Sequence, residues 1–158
     1  MARKGTFAAS TLTVTLKESL TLDGRDYGGN QSYSFSSIGN VTRRIETVTT
    51  TEATIITFST SMGPGQYIPG QVKYLRFSNL DDTNHIVLTF ANENDDEAAI
   101  KLDAGQSFVI NGDNSGGMVD VLDAIDGTGL TYSLGDLKSV TADADTASCD
   151  MEIFVASS

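Results

Sequence analysis

Leu12-Thr13-Val14-Thr15-Leu16 alternates apolar and polar positions without a break, and so do Ile86-Val87-Leu88-Thr89-Phe90 and Val119-Asp120-Val121. Side chains on a strand point to opposite faces in turn, so this pattern predicts half-buried sheets. A first strand is expected over 11–22, its Leu12, Val14, Leu16, Leu20 and Leu22 sharing a face, followed by a loop over Asp23–Asn30. A second strand covers Gln31–Ser37, and Gly39-Asn40 is a turn. Two more strands lie between Val41 and Ser61, joined near Thr49–Glu52, before a loop holding both prolines. Val72–Ser78 and His85–Asn92 read as a hairpin connected by Asn79–Asn84. Strands around Ala99–Leu102 and Gln106–Ile110 follow, then a mobile Gly/Asn/Ser loop over 111–117 and a short strand at Val119–Leu122. Leu137, Val140 and Ala144 have helical spacing, and Asp150–Ala156 closes the chain as a strand. About eight to ten short strands with turn residues between them predict an all-β chain, an antiparallel β-sandwich or jelly-roll-like fold. Residues 1–10 read as a flexible N-terminal arm ahead of a single domain over 11–158.

At 158 residues the chain suits one domain, long enough to bury roughly two-thirds of its unfolded surface. No apolar run approaches the roughly 18 residues that span a bilayer, so no membrane partner is expected. The basic start Arg3-Lys4 is not followed by the apolar stretch of a signal peptide, which points to synthesis in a cytoplasm. The single Cys149 fits that compartment and reads as a small buried apolar residue. The net charge of −11 disfavours nucleic acid as a direct partner. Its distribution is uneven: residues 1–90 carry 8 basic and 7 acidic side chains, residues 91–158 carry 2 and 14. The acidic half is read either as a self-repelling surface that keeps the protein soluble or as the solvent side of a docked, two-faced molecule.

Candidate chemistry is sparse. His85 stands alone, which leaves a multi-histidine metal site unsupplied, and the neighbours of Cys149 offer no base. Carboxylate pairs occur at Asp81/Asp82, Asp95/Asp96/Glu97 and Asp143/Asp145, but the aromatic platforms of a glycosidase cleft are missing. Asn92–Glu97 has oxygen ligands suited to Ca²⁺ without EF-hand spacing. Catalytic, metal-binding and cofactor-binding residues are therefore all expected to be none. Arg43-Arg44 lies on a strand, where alternation sends the two guanidiniums to opposite faces. The pair is read as edge protection, or as an anchor for an acidic neighbour in an oligomer. Tyr27, Tyr33 and Tyr67 are the candidates for a carbohydrate-binding face.

Two longer stretches carry a resemblance. Val72–Asn84, with the strand after it and Leu102-Asp103-Ala104-Gly105-Gln106-Ser107-Phe108-Val109-Ile110, resembles small virion proteins of tailed, especially marine, bacteriophages. The closing Ala142–Ala156, around Ser148-Cys149-Asp150-Met151-Glu152, is similar to their C-terminal pattern. The resemblance implies a non-enzymatic structural protein located in the virion and made in the host cytoplasm. A capsid decoration (cement) protein that binds assembled major capsid protein is expected first. A neck or tail component, or a receptor- or carbohydrate-binding tail module, is the alternative. Membership would also imply a homo-oligomer on the particle, touching other virion proteins.

Overall fold

The computed structural model describes residues 8–123 and 134–158, and all of its regular structure is strand except one 3-10 turn at Pro69–Gln71. In chain order the strands are β1 (Ser10–Glu18), β2 (Thr21–Leu22), β3 (Arg25–Asp26), β4 (Gly29–Ile38), β5 (Asn40–Val48), β6 (Ala53–Phe58) and β7 (Gln66–Tyr67). They continue as β8 (Val72–Asn79), β9 (Ile86–Asn92), β10 (Glu97–Leu102), β11 (Ser107–Asn111), β12 (Leu137–Ala144) and β13 (Cys149–Ser157). One sheet runs β11-β8-β13-β5 and the other β10-β9-β12-β6-β7, the last pair being parallel and the rest antiparallel. Eight strands, β5, β6 and β8 to β13, thus form two four-stranded layers in the order of a jelly roll. The expected all-β sandwich is what the chain forms.

Parity explains the layers. On β13, Cys149, Met151, Ile153 and Val155 are fully buried and face the opposite sheet, while Asp150, Glu152 and Phe154 point outward. β9 buries Ile86, Leu88 and Phe90 in the same way. The layers meet through contacts such as Phe77 against Phe90, edge to face at 6.0 Å.

Four local expectations need correction within the body of the sandwich. Val72–Ser78 and His85–Asn92 do not pair: β8 bonds to β11 and β13, whereas β9 bonds to β10 and β12. Their connection crosses from one sheet to the other, held by Asn79 Nδ2 donating to the Asn84 and Leu102 carbonyls. Alternation identifies a buried face but not the sheet that owns it. The helix-like spacing of Leu137, Val140 and Ala144 belongs to β12, where a bulge between Leu137 and Ser139 slips the buried parity by one residue. Val119–Leu122 is not a strand; Leu122 makes only an isolated bridge to Gly135.

The fourth concerns 111–117, expected to be mobile and found docked. Asp113 and Gly117 exchange backbone hydrogen bonds at 2.7 and 2.8 Å, and Met118 N donates to Pro69 O at 2.7 Å. Met118 is fully buried in the main core. The expected N-terminal arm, 1–10, falls mostly on residues outside those described, and Ser10 already opens β1.

Candidate functional site

β1 and β4 form a long antiparallel ribbon that stands outside the two layers. Its two faces differ in chemistry. On one face hydroxyls pair across the strands, Thr13 with Ser34 at 3.1 Å and Thr15 with Ser32 at 2.8 Å. The other face carries Leu12 opposite Phe35, Val14 opposite Tyr33, and then Leu16 opposite Gln31.

The root of this ribbon lies on the outer face of the β11-β8-β13-β5 sheet. Phe35, Ile38, Tyr74 and Ala156 form a second buried cluster, flanked by Leu12, Val14, Tyr33 and Phe154. Ring contacts run Tyr33–Phe35 at 5.6 Å, Phe35–Tyr74 at 6.1 Å and Tyr74–Phe154 at 5.8 Å. Burial raises the Tyr74 hydroxyl above its ordinary pKa, with the neighbouring Tyr33 adding to the effect. Polar pins complete the joint. Asn114 Oδ1 accepts from Ser36 N at 3.0 Å, and the buried Lys73 donates to the Asn114 carbonyl at 2.7 Å and the Ser36 carbonyl at 3.3 Å.

Past the joint the ribbon continues without cover. The expected loop over Asp23–Asn30 is instead mostly the far end of this arm. β2 and β3 close it as a hairpin through Asp23 (φ 49) and Gly24 (φ 75). Two successive positive-φ residues suit the twist of flanking strands, and Asp-Gly is a common pair for that turn. Leu16, Leu20, Leu22 and Tyr27 are 56%, 54%, 56% and 58% exposed. Apolar side chains that share the strip docked at the root are therefore open to solvent at the tip. The Asp23-Gly24 dipeptide was the sequence signal for this hairpin. Nothing local signalled the pins from Lys73 and Asn114.

The outer sheet face beside the root is a charge clamp. Glu152 accepts from Arg43 Nε at 2.8 Å and from Arg76 Nη2 at 2.5 Å. These bonds, more than the bare charges, hold its carboxyl below the usual range. Arg76 also donates to Ser78 Oγ at 2.6 Å and lies 5.8 Å from the Phe154 ring centre. Arg44 points to the opposite side of β5, as alternation required, and donates to Ile55 O at 2.6 Å and Glu46 Oε2 at 3.2 Å. It borders an open cleft of about 630 Å³ between β5 and the Gly63–Tyr67 loop. Both guanidiniums thus have partners within the chain. Around Arg43, the same face leaves Val41 and Ile45 exposed on the sheet's free edge, at 52% and 64%.

Most of the remaining candidates are held by the fold, whereas Glu97 and Tyr27 are exposed. His85 Nδ1 lies 3.6 Å from Asp145 Oδ2. Cys149 is fully buried with its sulfur 3.5 Å from Ala147 O, and burial raises its thiol pKa. Asp81 Oδ1 accepts from the Thr83 and Asn84 amides at 2.8 and 2.6 Å, which lowers its pKa. In the Asn92–Glu97 turn, buried Asn92 caps the Asn94 and Asp96 amides, both at 2.9 Å, and Asp95 pairs with Lys138. Asp82 is engaged by the Thr83 hydroxyl at 2.8 Å. Of the three tyrosines only Tyr27 is exposed; Tyr67 is buried and Tyr33 half-buried in the arm joint. Arg3 and Lys4 lie outside the described residues. Among the described residues no helix is long and apolar enough to cross a membrane.

No protein-family model matches the chain. No curated protein matches it. One solved structure, from Bacillus endospore appendages described as disulfide-linked pili, is similar over 100% of this chain and 96% of its own, with 9% identity and a TM-score of 0.42. A likeness at that level carries no argument about function.

Proposed function

We propose that this chain is a non-enzymatic structural protein of a tailed-phage virion, a decoration protein that sits in many copies on assembled major capsid subunits. The observation that carries the reading is the arm. A ribbon with one hydroxyl face and one apolar face, its apolar strip uncovered beyond Val14, is surface built to be covered in an assembly. The resemblance of Val72–Ile110 and Ala142–Ala156 to small phage virion proteins supports the particle as the setting. The jelly-roll order adds an analogy at the level of fold, because viral capsid proteins use it among others. In this reading the acidic second half faces solvent and keeps a crowded shell of copies apart.

The test is the copy number of the protein in purified particles of the encoding phage, measured against the major capsid protein. One copy per capsid subunit, or one per three, is the expected result. A handful of copies would replace decoration by a neck or tail role. Absence from the particle would overturn the structural reading altogether.

A further inference from the structure

We infer that the uncovered end of the arm docks on a second copy of this chain, on the outer face of its β11-β8-β13-β5 sheet at the β5 edge. The inference rests on the arm and sheet themselves and not on the virion reading, so copy number and self-association fail separately.

The arm already shows what its apolar strip fits. At the root, Leu12, Val14, Tyr33 and Phe35 lie on Tyr74, Phe154 and Ala156, the outward residues of β8 and β13. Leu16, Leu20, Leu22 and Tyr27 extend that interface with side chains of the same kind and have no sheet beneath them. The same sheet face carries the complementary vacancy: Val41 and Ile45 on β5 are exposed on its unpaired edge, and the chain's own arm leaves them uncovered. A copy therefore presents one unsatisfied apolar strip and one unsatisfied apolar edge, and a second copy supplies each with its match.

Charge does not oppose the contact. Arg43, which lies between Val41 and Ile45 in sequence, is folded onto Glu152 and shares it with Arg76. The arm tip carries Lys17 and Arg25 against Glu18, Asp23 and Asp26, an excess of one acid. The outer face has no like-charge excess to repel it, since Arg43 and Arg76 are matched by Glu152 and Asp150. The interface is consequently mixed: Arg43, its side chain 68% exposed, separates Val41 from Ile45, and Glu18 and Arg25 share the parity of the arm's leucines, so apolar contacts alternate with charged ones.

The experiment is sedimentation equilibrium of the full chain with two variants. Wild-type protein is expected to rise above its 16.7 kDa monomer mass as concentration increases. Leu22→Asp on the arm and Ile45→Asp on the edge are each expected to weaken association about tenfold or more. Mixing the two variants is expected to restore a heterodimer, because one retains a sound edge and the other a sound arm. Circular dichroism checks the fold, and Ile45→Thr replaces Ile45→Asp if the charge disturbs β5. A wild-type chain that stays monomeric throughout would overturn the inference. So would association lost with Leu22→Asp but untouched by either Ile45 variant, or variants that fail to complement, since both place the arm on some other surface.

Discussion

Three glycines around the 105–117 segment allow the docked turn to be tested with internal controls. Gly105 has φ +71 and open space around a built Cβ, so Gly105→Ala meets only the backbone penalty. That is about 1–2 kcal/mol, offset by about 0.4–1 kcal/mol from a less flexible unfolded chain, for a net near 1. Gly112 lies outside the left-handed region, but its Cβ would sit 2.6 Å from Gly117 O and 2.8 Å from Val72 O. Both are backbone atoms, which cannot swing away, and overpacking of this kind costs about 1–3 kcal/mol. Gly117 combines the two, with φ +64 and a Cβ 2.5 Å from Pro69 O and 2.6 Å from Gly70 C. Adding the terms gives Gly117→Ala a loss of about 2–4 kcal/mol, a fall in Tm of roughly 5–15 °C for a chain of this size. Urea unfolding of the three variants is the assay, with slopes compared to confirm a common two-state transition. The expected order of damage is Gly117, then Gly112, then Gly105. If Gly117→Ala is no worse than Gly105→Ala, the turn is not seated against Pro69 and Gly70, and Met118 does not plug the core as described.

Other outcomes follow from the same contacts. Because Glu152 titrates below its ordinary range in the fold, its clamp stabilises the protein above the unfolded glutamate pKa of about 4.3 and is lost as pH falls through the lowered folded value. Glu152→Gln should therefore flatten the acid side of a stability–pH curve taken by urea unfolding, and an unchanged slope would show the clamp does not form. Phe35→Ala should raise hydrogen exchange over Ser10–Ile38 while β9, β12 and β13 keep their protection, because the arm packs in its own cluster; a uniform loss would mean arm and body unfold together. Leu88→Ala, in the fully buried centre, should cost about 3–5 kcal/mol in chemical denaturation, against less than about 0.5 kcal/mol for Leu22→Ala in dilute protein. Equal costs would contradict the burial pattern. The Cys149 thiol should resist Ellman's reagent in the native state and react on unfolding, whereas fast native labelling would place it at the surface.

The period-2 pattern disclosed most of the strands because one face of each is dry. Leu12 and Val14, the Ile86–Phe90 run and the Met151–Val155 run lie on the covered faces that their parity indicates, whereas Leu16 keeps the alternation beyond the sheet and is exposed. The two guanidiniums of Arg43 and Arg44 separate to opposite sides for the same reason. What parity does not encode is partnership. Strands β8 and β9 alternate as hairpin partners would, yet they face each other across the core, because a loop of turn residues serves a hairpin and a crossover equally well. Parity also fails where the ladder slips by one residue, as at Leu137–Ser139, where the buried positions took on helical spacing. The joint under the arm depends on Asn114 and Lys73 meeting Ser36 from far along the chain, a coincidence of three dimensions with no local trace.

The same distinction governs the candidate chemistry. Residue types that could act on a substrate are present, but the fold spends the most suggestive ones on itself. Glu152 is shared by two arginines, Asn79, Asp81 and Asn92 hold turns, and Arg44 is tied to Ile55 and Glu46. A carboxylate that two guanidiniums hold below its usual pKa is poorly matched to general-base work near neutral pH. The unspent free energy lies elsewhere, in four large apolar side chains at the end of a ribbon whose other half demonstrates the kind of surface they fit. Burying a leucine contributes roughly 1.5–3 kcal/mol, so even partial cover of Leu16, Leu20, Leu22 and Tyr27 is a driving force for association. Among the described residues the most suggestive polar groups are thus closed and four large apolar groups are open, and it is this open surface that the proposed assembly would cover.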